Sequence, residues 1–383
     1  MDRRRFLAAG GLAAAAPVVA RAAPWGHGTR SAPVARVDFT TDGLGLAPAE
    51  YAQRLQQATA NSAVEADSYS NGGAIAHLER TFAALLGKPA AIYLPTGTLA
   101  NHLAVRRLAG AHRRVLVQAD SHLYNDSGDC ASTLSALNLV PLSAGHPAMD
   151  PAEVEHWLAR TARGRVEMQV GAISIESPVR RHDHRAVPFE TLERIALLAR
   201  AHGVGLHLDG ARLFNLPLHT GRSVRDYAAL FDTVYVSVWK HFNAASGAIL
   251  AGESELIDGM FHVRRMFGGS LPQAWPLVAA VADYAPRYEA DYARAWQAAE
   301  AWSALLTQRG AFTVRQLPDG TSRLYVGAPG IAGEGFASRL LARGIVLPGM
   351  PADAAELPLQ VNPTLLRTTP QALADAFHAA LTG

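Results

Sequence analysis

Lysine is nearly missing from this chain. Of its 35 basic residues 33 are arginine, and only Lys88 and Lys240 carry a primary amine. Cysteine is scarcer still: Cys130 stands alone, which excludes an internal disulfide framework and leaves the fold to be held by its core. That core is available, because 49% of the residues are apolar and a globular chain of about 360 residues is long enough to bury one. No segment is long and uncharged enough to span a bilayer comfortably, so no stable membrane anchor is expected. The arginines are scattered among acids and form no basic stripe, which excludes a nucleic-acid partner. There is no internal repeat, and none of the site residues named below is expected to ligate a metal.

Against that scarcity of amines, the stretch 206–247, from LHLDGARLFN to DTVYVSVWKHFNAASG, stands out. It holds two apolar, strand-like runs, of which 205–209 ends on Asp209 and 233–238 is followed by Lys240. Where helical and extended segments alternate, such ends share one rim of a parallel sheet, the place where α/β folds bind ligands. An amine retained there points to a task that arginine cannot perform. A guanidinium stays protonated, whereas a buried lysine can lose its proton and form a Schiff base. An aspartate on the neighbouring strand end is the expected partner for a protonated pyridine nitrogen, so the pair suggests pyridoxal phosphate. A buried ion pair between strands, or a solvated strand-end lysine, is the alternative.

Residues 1–22 carry an arginine triplet, a weakly apolar run from Phe6 to Ala20 and an Ala20-Arg21-Ala22 ending. This is the layout of a secretory leader cut after Ala22, and Arg3-Arg4-Arg5-Phe6-Leu7 resembles the twin-arginine type. The expected location is therefore periplasmic or secreted. The leader contains four arginines and one aspartate, so the remainder falls from a formal net charge of +2 to −1. A twin-arginine route carries folded cargo, which would let a cofactor be loaded before export.

After an irregular entry at 24–33, a short strand or arm is expected at 37–42 and a helix at 48–60. Ile75, Leu78, Phe82, Leu85 and Leu86 recur at helical spacing over 74–86, with Gly87 as its stop and Lys88 at the negative end of its dipole. Strand-like runs at 90–94, 115–118, 139–142 and 172–176 alternate with helices ending at 107 and spanning 151–160 and 188–202. This predicts a mostly parallel sheet covered on both faces. The Pro95-Thr96-Gly97-Thr98 stretch between strand and helix offers backbone N–H groups and a positive dipole end to a phosphate. His122, after the 115–118 run, reads as a group that stacks on a cofactor or acts as acid or base near neutral pH. A long helix is expected at about 275–309, then strands at 312–316, 323–326 and 345–347 with helices at 333–342 and 370–381. The domain reading is leader 1–22, arm 23–47, a large cofactor domain 48–285 and a small C-terminal α/β domain 286–383.

These segments resemble the threonine aldolase and β-eliminating lyase family of fold-type I pyridoxal phosphate enzymes. The likeness is carried by His77-Leu78-Glu79, Leu86-Gly87-Lys88, LPTGTLAN at 94–101, ADSH at 119–122, ISIES at 173–177, LHLDGARLFN at 206–215, Lys240 and Arg264-Arg265 before Gly268-Gly269. It implies a seven-stranded, mostly parallel mixed sheet sandwiched by helices, plus the smaller domain. It also implies that Lys240 holds the cofactor, Asp209 pairs with the pyridine nitrogen, Gly97 and Thr98 bind phosphate, and His122 lies against the ring. Arg212 would contact cofactor and substrate carboxylate, Thr41 would lie near that carboxylate, Tyr69 would reach across a dimer interface, and Arg367 would be a second carboxylate clamp. The implied partners are an amino-acid substrate and further copies of the chain, as a homodimer or homotetramer.

The chain departs from the family pattern in places. Ser-Pro-Val-Arg-Arg-His-Asp-His follows Glu176, His241-Phe242-Asn243 follows the lysine in place of a glycine-rich turn, and Pro272 stands where an arginine helps to hold the phosphate. Asp126 also stands where a glutamate is usual. Arg180, Arg181, His182 and His184 are candidates to read an acidic substrate group, or are simply a charged loop. The resemblance implies an aldolase that cleaves a β-hydroxy-α-amino acid to glycine and an aldehyde. Its alternatives are β-elimination on a β-substituted amino acid and a catalytically silent periplasmic amino-acid binding protein.

Overall fold

The computed structural model describes residues 36–61, 64–163, 165–166, 168–349, 351 and 353–382. The expected leader and the first part of the arm lie outside them. In chain order the strands are β1 (Val37–Asp38), β2 (Ala90–Leu94), β3 (Arg114–Gln118), β4 (Asn138–Leu142), β5 (Val170–Glu176), β6 (Gly205–Asp209), β7 (Thr233–Ser237), β8 (Ala248–Gly252), β9 (Thr313–Arg315), β10 (Arg323–Gly327), β11 (Ile345–Val346) and β12 (Glu356–Gln360). The longer helices are α1 (Pro48–Asn61), α2 (Gly73–Leu86), α3 (Gly97–Ala109), α4 (Pro151–Ala162), α5 (Phe189–Ala201), α6 (Tyr288–Gln308), α7 (Glu334–Leu341) and α8 (Pro370–Thr382).

The expected mixed, mostly parallel sheet is present, with seven strands in the order β2-β8-β7-β6-β5-β3-β4. Only β8 runs against its neighbours, β2 and β7. Strands β5, β7 and β8 are buried along their whole length, the pattern of a sheet covered by helices on both faces. Register sets Glu176 beside Asp209 and Asp209 beside Tyr235, so the C-terminal ends of β5, β6 and β7 form one rim. Because β8 opposes both β2 and β7, β2 runs with the parallel set and delivers the start of α3 to that same rim.

Local signals in the chain account for the helix ends that matter there. Gly87, left-handed at φ 67°, closes α2, and the Lys88 amide reaches back to the Ala83 carbonyl at 2.9 Å, a Schellman closure. Thr96 caps α3 by accepting from the Leu99 amide at 3.2 Å.

Four expectations are corrected. The long helix at 275–309 is broken into turns at Trp275–Val278, Val281–Tyr284 and Ala285–Arg287 before α6 begins. Pro276 and Pro286 lack an N–H, and their rings clash with the preceding turn, so each can stand only at a helix start. Strand 37–42 shrinks to β1, because Asp38 Oδ1 accepts from both the amide and the hydroxyl of Thr40 (2.9 and 2.6 Å) and turns the chain. The strand at 345–347 pairs in parallel with β1 and not with the smaller sheet. That smaller sheet is β12-β10-β9, antiparallel, and includes a strand the sequence did not signal. On α6, Tyr288, Tyr292, Ala295, Trp296, Ala299, Trp302 and Leu306 form the buried stripe. The Trp302 ring lies 5.6 Å from Phe39 and 5.1 Å from Phe377, which ties the arm to α6 and α8.

Candidate active site

Three residues past the end of β7, the turn at the rim carries Lys240. It lines a cavity of about 530 Å³ together with Thr41, Asp42, Tyr51, Trp239 and Asn243. Burial of the ammonium, reinforced by the Arg212 guanidinium, lowers the Lys240 pKa to about 8 against the pull of Asp42, Asp209 and Glu176. A lysine on the surface stays almost wholly protonated up to about pH 9, whereas this one is half neutral near pH 8. The rate at which the ligand-free protein captures an aldehyde at Lys240 should therefore rise about tenfold per pH unit below 8 and level off above it. Stopped-flow absorbance with pyridoxal phosphate measures this; a profile still rising steeply at pH 10 would show an unperturbed amine.

Asp209 closes β6 and is buried. Its Oδ2 accepts from Asn101 Nδ2 at 2.6 Å and its Oδ1 from the Ala211 amide at 3.1 Å. Among the described residues it forms no ion pair. A desolvated carboxylate with N–H donors and no counter-ion is built to receive a cation, and a protonated pyridine nitrogen is one.

The start of α3 supplies the other end of such a ligand. Among the described residues the Gly97 and Thr98 amides have no hydrogen-bond partner, since the cap serves Leu99 and the next amide, Ala100, returns to the Thr96 carbonyl. Two free amides at the N-terminus of a 13-residue helix suit a phosphate. Gly97 is required for the approach, because a Cβ there would overlap the Tyr235 hydroxyl below it. Lys240, Asp209, Gly97 and Thr98 thus fit the aldehyde, ring nitrogen and phosphate of pyridoxal phosphate. Pro272, in place of an arginine, offers only a carbonyl, which accepts from the Tyr69 amide at 3.0 Å.

Arg212 is 7% exposed, and Asp42 grips it at both ends: Nε donates to Oδ1 at 2.7 Å and Nη2 to Oδ2 at 2.9 Å. Burial alone would raise the Asp42 carboxyl; the Arg212 guanidinium outweighs it and holds the group well below the usual carboxylate range. The expected substrate-carboxylate fork is therefore already shared with an internal carboxylate. Thr41 stands next to it with its hydroxyl donating to the Gly43 carbonyl at 2.9 Å. Asp42→Asn should destabilise the protein by about 3 kcal/mol, because it leaves a buried guanidinium without its counter-charge. It should also move the Lys240 capture midpoint below 8, since Asp42 favours the ammonium. Denaturant melts and the capture profile check the two effects.

His122 opens a short helical turn and is half-buried. Burial lowers its pKa, with the Asp209 charge opposing and the Lys240 charge adding to the effect, so the three belong to one electrostatic neighbourhood. Its amide donates to Glu176 Oε2 at 2.7 Å, and its Nδ1 lies 3.6 Å from Asp126. Glu176, the buried end of β5, is pushed up to about 7 by burial and by Asp209, against donation from the Arg180 and His122 amides. Arg180 and Arg181 both bind Asp126, His182 meets Asp120 at 2.9 Å, and His184 is buried against Ser322. The loop's cations thus have internal partners, which fits the charged-loop alternative.

Tyr69 and Arg367 are not among the residues lining the Lys240 cavity. Tyr69 is 44% exposed on a left-handed turn, and Arg265 stacks on its ring at 4.5 Å. Arg367 donates to the Arg36 carbonyl at 2.8 Å and lies 3.9 Å from Glu50 on α1. Lys88 donates to the Phe231 carbonyl at 2.6 Å, a structural role, though with a partner outside the α2 end expected of it. Asp42, Glu176, Asn101 and His207 were not singled out from the sequence. Glu176 had a usable signal, an acid closing an apolar run as Asp209 does; the others depend on contacts between distant segments.

Residues 38–322 match the family model described as β-eliminating lyase. An aldolase of Penicillium aethiopicum is 31% identical over 250 residues, 64% of this chain and 62% of that protein. A low-specificity L-threonine aldolase of Arabidopsis thaliana is 26% identical over 254 residues, 64% of this chain and 70% of that protein. The chain spans less than two thirds of the length of the first curated relatives it matches. The fold also matches the crystal structure of a proposed aromatic amino acid β-eliminating lyase/threonine aldolase from Exiguobacterium sp., with a TM-score of 0.70 and 25% identity, covering 86% of this chain and 93% of that one.

Proposed function

The chain belongs to the β-eliminating lyase family, and on that basis we propose that it is a pyridoxal phosphate-dependent carbon–carbon lyase that cleaves a β-hydroxy-α-amino acid into glycine and an aldehyde. The observation that carries this is a lysine with its pKa lowered to about 8 at the same rim as Asp209, a buried carboxylate that forms no ion pair among the described residues. Lys240 would hold the cofactor's aldehyde carbon, the Gly97 and Thr98 amides its phosphate, and Asp209 its ring nitrogen. When bound, the cofactor supplies a carbonyl for the substrate amine and a ring that takes up the electron pair left on Cα as the Cα–Cβ bond breaks.

The chain's own groups then have separable tasks. Asp209 keeps the ring nitrogen protonated. Arg212, with Thr41 beside it, orients the substrate carboxylate through the N–H groups Asp42 leaves free. His122 is kept neutral by burial and can accept the β-hydroxyl proton. Lys240, once released, can take up a proton on its amine and, with its pKa lowered to about 8, deliver that proton to Cα.

Exposed Tyr69 supports a homodimer or homotetramer, tested by light scattering. The leader-like residues 1–22 support export of the folded, loaded protein, tested by cell fractionation of an Arg3/Arg4→Lys variant. For the reaction itself, purified protein with pyridoxal phosphate is given threonine, phenylserine and a β-substituted alanine. Glycine and aldehyde are the expected products; pyruvate would indicate β-elimination, and no product from any of them would overturn the lyase assignment.

A further inference from the structure

Behind Asp209 lies a row of polar side chains that the chemistry above does not use. Asn101 on α3, His207 on β6 and Thr233 on β7 are each 0% exposed. Asn101 Nδ2 meets Asp209 Oδ2 at 2.6 Å, His207 Nε2 meets Asn101 Oδ1 at 2.9 Å, and His207 Nδ1 meets Thr233 Oγ1 at 2.9 Å. The direction of every bond follows from the carboxylate at the end. An ionised carboxylate only accepts, so the amide must turn its NH₂ toward Asp209 and its carbonyl toward His207. That carbonyl needs a donor, so the proton of the imidazole sits on Nε2. Nδ1 is then bare and accepts the Thr233 hydroxyl.

We propose that Thr233, His207 and Asn101 are positioning residues that form a one-way chain of donors ending on Asp209, holding its carboxylate aimed at the ring nitrogen of the cofactor; this rests on the pyridoxal phosphate assignment. Burial lowers the His207 pKa to about 4, opposed by Asp209 and by the Thr233 backbone, so the imidazole stays neutral across the working range. Donors aligned in this way strengthen one another in a low-dielectric interior. Asn101 also lies one helical turn from Gly97, on the helix that presents the phosphate amides. The row therefore locks the two ends of the cofactor site into one frame, with the ring-nitrogen end on β6 and the phosphate end on α3.

The variants are His207→Gln, whose Nε2 can still donate to Asn101, His207→Leu, which cannot, and Asn101→Leu. Each is read by kcat, KM and the pH midpoint of the cofactor's visible band. His207→Gln is expected to stay near the parent. His207→Leu and Asn101→Leu should lose about 10- to 100-fold in kcat, as when a group that orients a ligating side chain is removed, with little change in KM. Their band midpoint should move up, because a ring nitrogen that has lost its proton withdraws less charge from the lysine linkage. Equal behaviour of His207→Gln and His207→Leu would overturn the proposal. Nitrogen NMR of the ligand-free parent needs neither variants nor cofactor. It should show His207 protonated on Nε2 and bare on Nδ1 from about pH 6 to 9, and the opposite tautomer or an imidazolium would overturn the proposal as well. If the parent forms no band with pyridoxal phosphate, the cofactor assignment falls, whereas a band in the parent with unshifted leucine variants removes only the positioning role.

Discussion

Lys240→Ala is expected to lower turnover of a β-hydroxy-α-amino acid by on the order of 10⁴-fold, with the melting temperature close to that of the parent. The size follows from what the amine does twice. It would be the covalent anchor that presents the cofactor's carbon to the incoming substrate, and once displaced it would carry the proton that Cα takes up. Alanine supplies neither. Stability should hold because a half-buried ammonium in the neighbourhood of Arg212 costs desolvation in the folded state, so its removal relieves as much as it loses. The cofactor should still enter, since the Gly97 and Thr98 amides and Asp209 are untouched, but gel filtration should strip it. Lys240→Arg should be equally inactive, because a guanidinium cannot give up its proton. Steady-state kinetics over at least four decades of rate measure this, and residual activity within tenfold of the parent would remove Lys240 from the chemistry.

Asp209→Asn should cost on the order of 10³-fold in kcat while the cofactor stays bound. The substitution preserves shape and removes charge. An amide cannot stabilise a protonated pyridine nitrogen as a carboxylate does, and the neutral ring takes up the electron pair at Cα far less readily. Its NH₂ would also face the Asn101 NH₂, which sets two donors against each other. Because the carboxylate acts on charge that develops during the reaction, KM should move little. A variant that loses cofactor but turns over normally when saturated with it would show Asp209 to be a binding group only.

The sequence made the two ends of this pair legible because each closes or follows an apolar run, and the alternation of runs told which edge of the sheet they share. Lysine scarcity then separated Lys240 from the background, since a retained amine among 33 arginines carries information that an ordinary lysine does not. The phosphate end was legible in Gly97, although the need for glycine there comes from Tyr235, 138 positions away and visible only in the fold. What stayed hidden was the pairing of distant polar groups. Asp42 is 170 positions from Arg212, and Asn101 is 106 from His207. No local spacing announces either contact. Strand β8 was missed for a different reason: Ala248–Gly252 is short, small-residued and antiparallel, with no helix of its own to mark it. The break at Pro276 and Pro286 was in plain view and was overridden by the run of helix formers around it.

The chain contains two amines besides its N-terminus, so the central claim can be tested by locating a mass label. The full chain is mixed with pyridoxal phosphate near pH 8, reduced with borohydride, digested and mapped by tandem mass spectrometry. A single phosphopyridoxyl group on the peptide bearing Lys240, with Lys88 unmodified, is the expected result. Label on Lys88 alone, or none on either residue, would contradict the assignment of this rim as the active site.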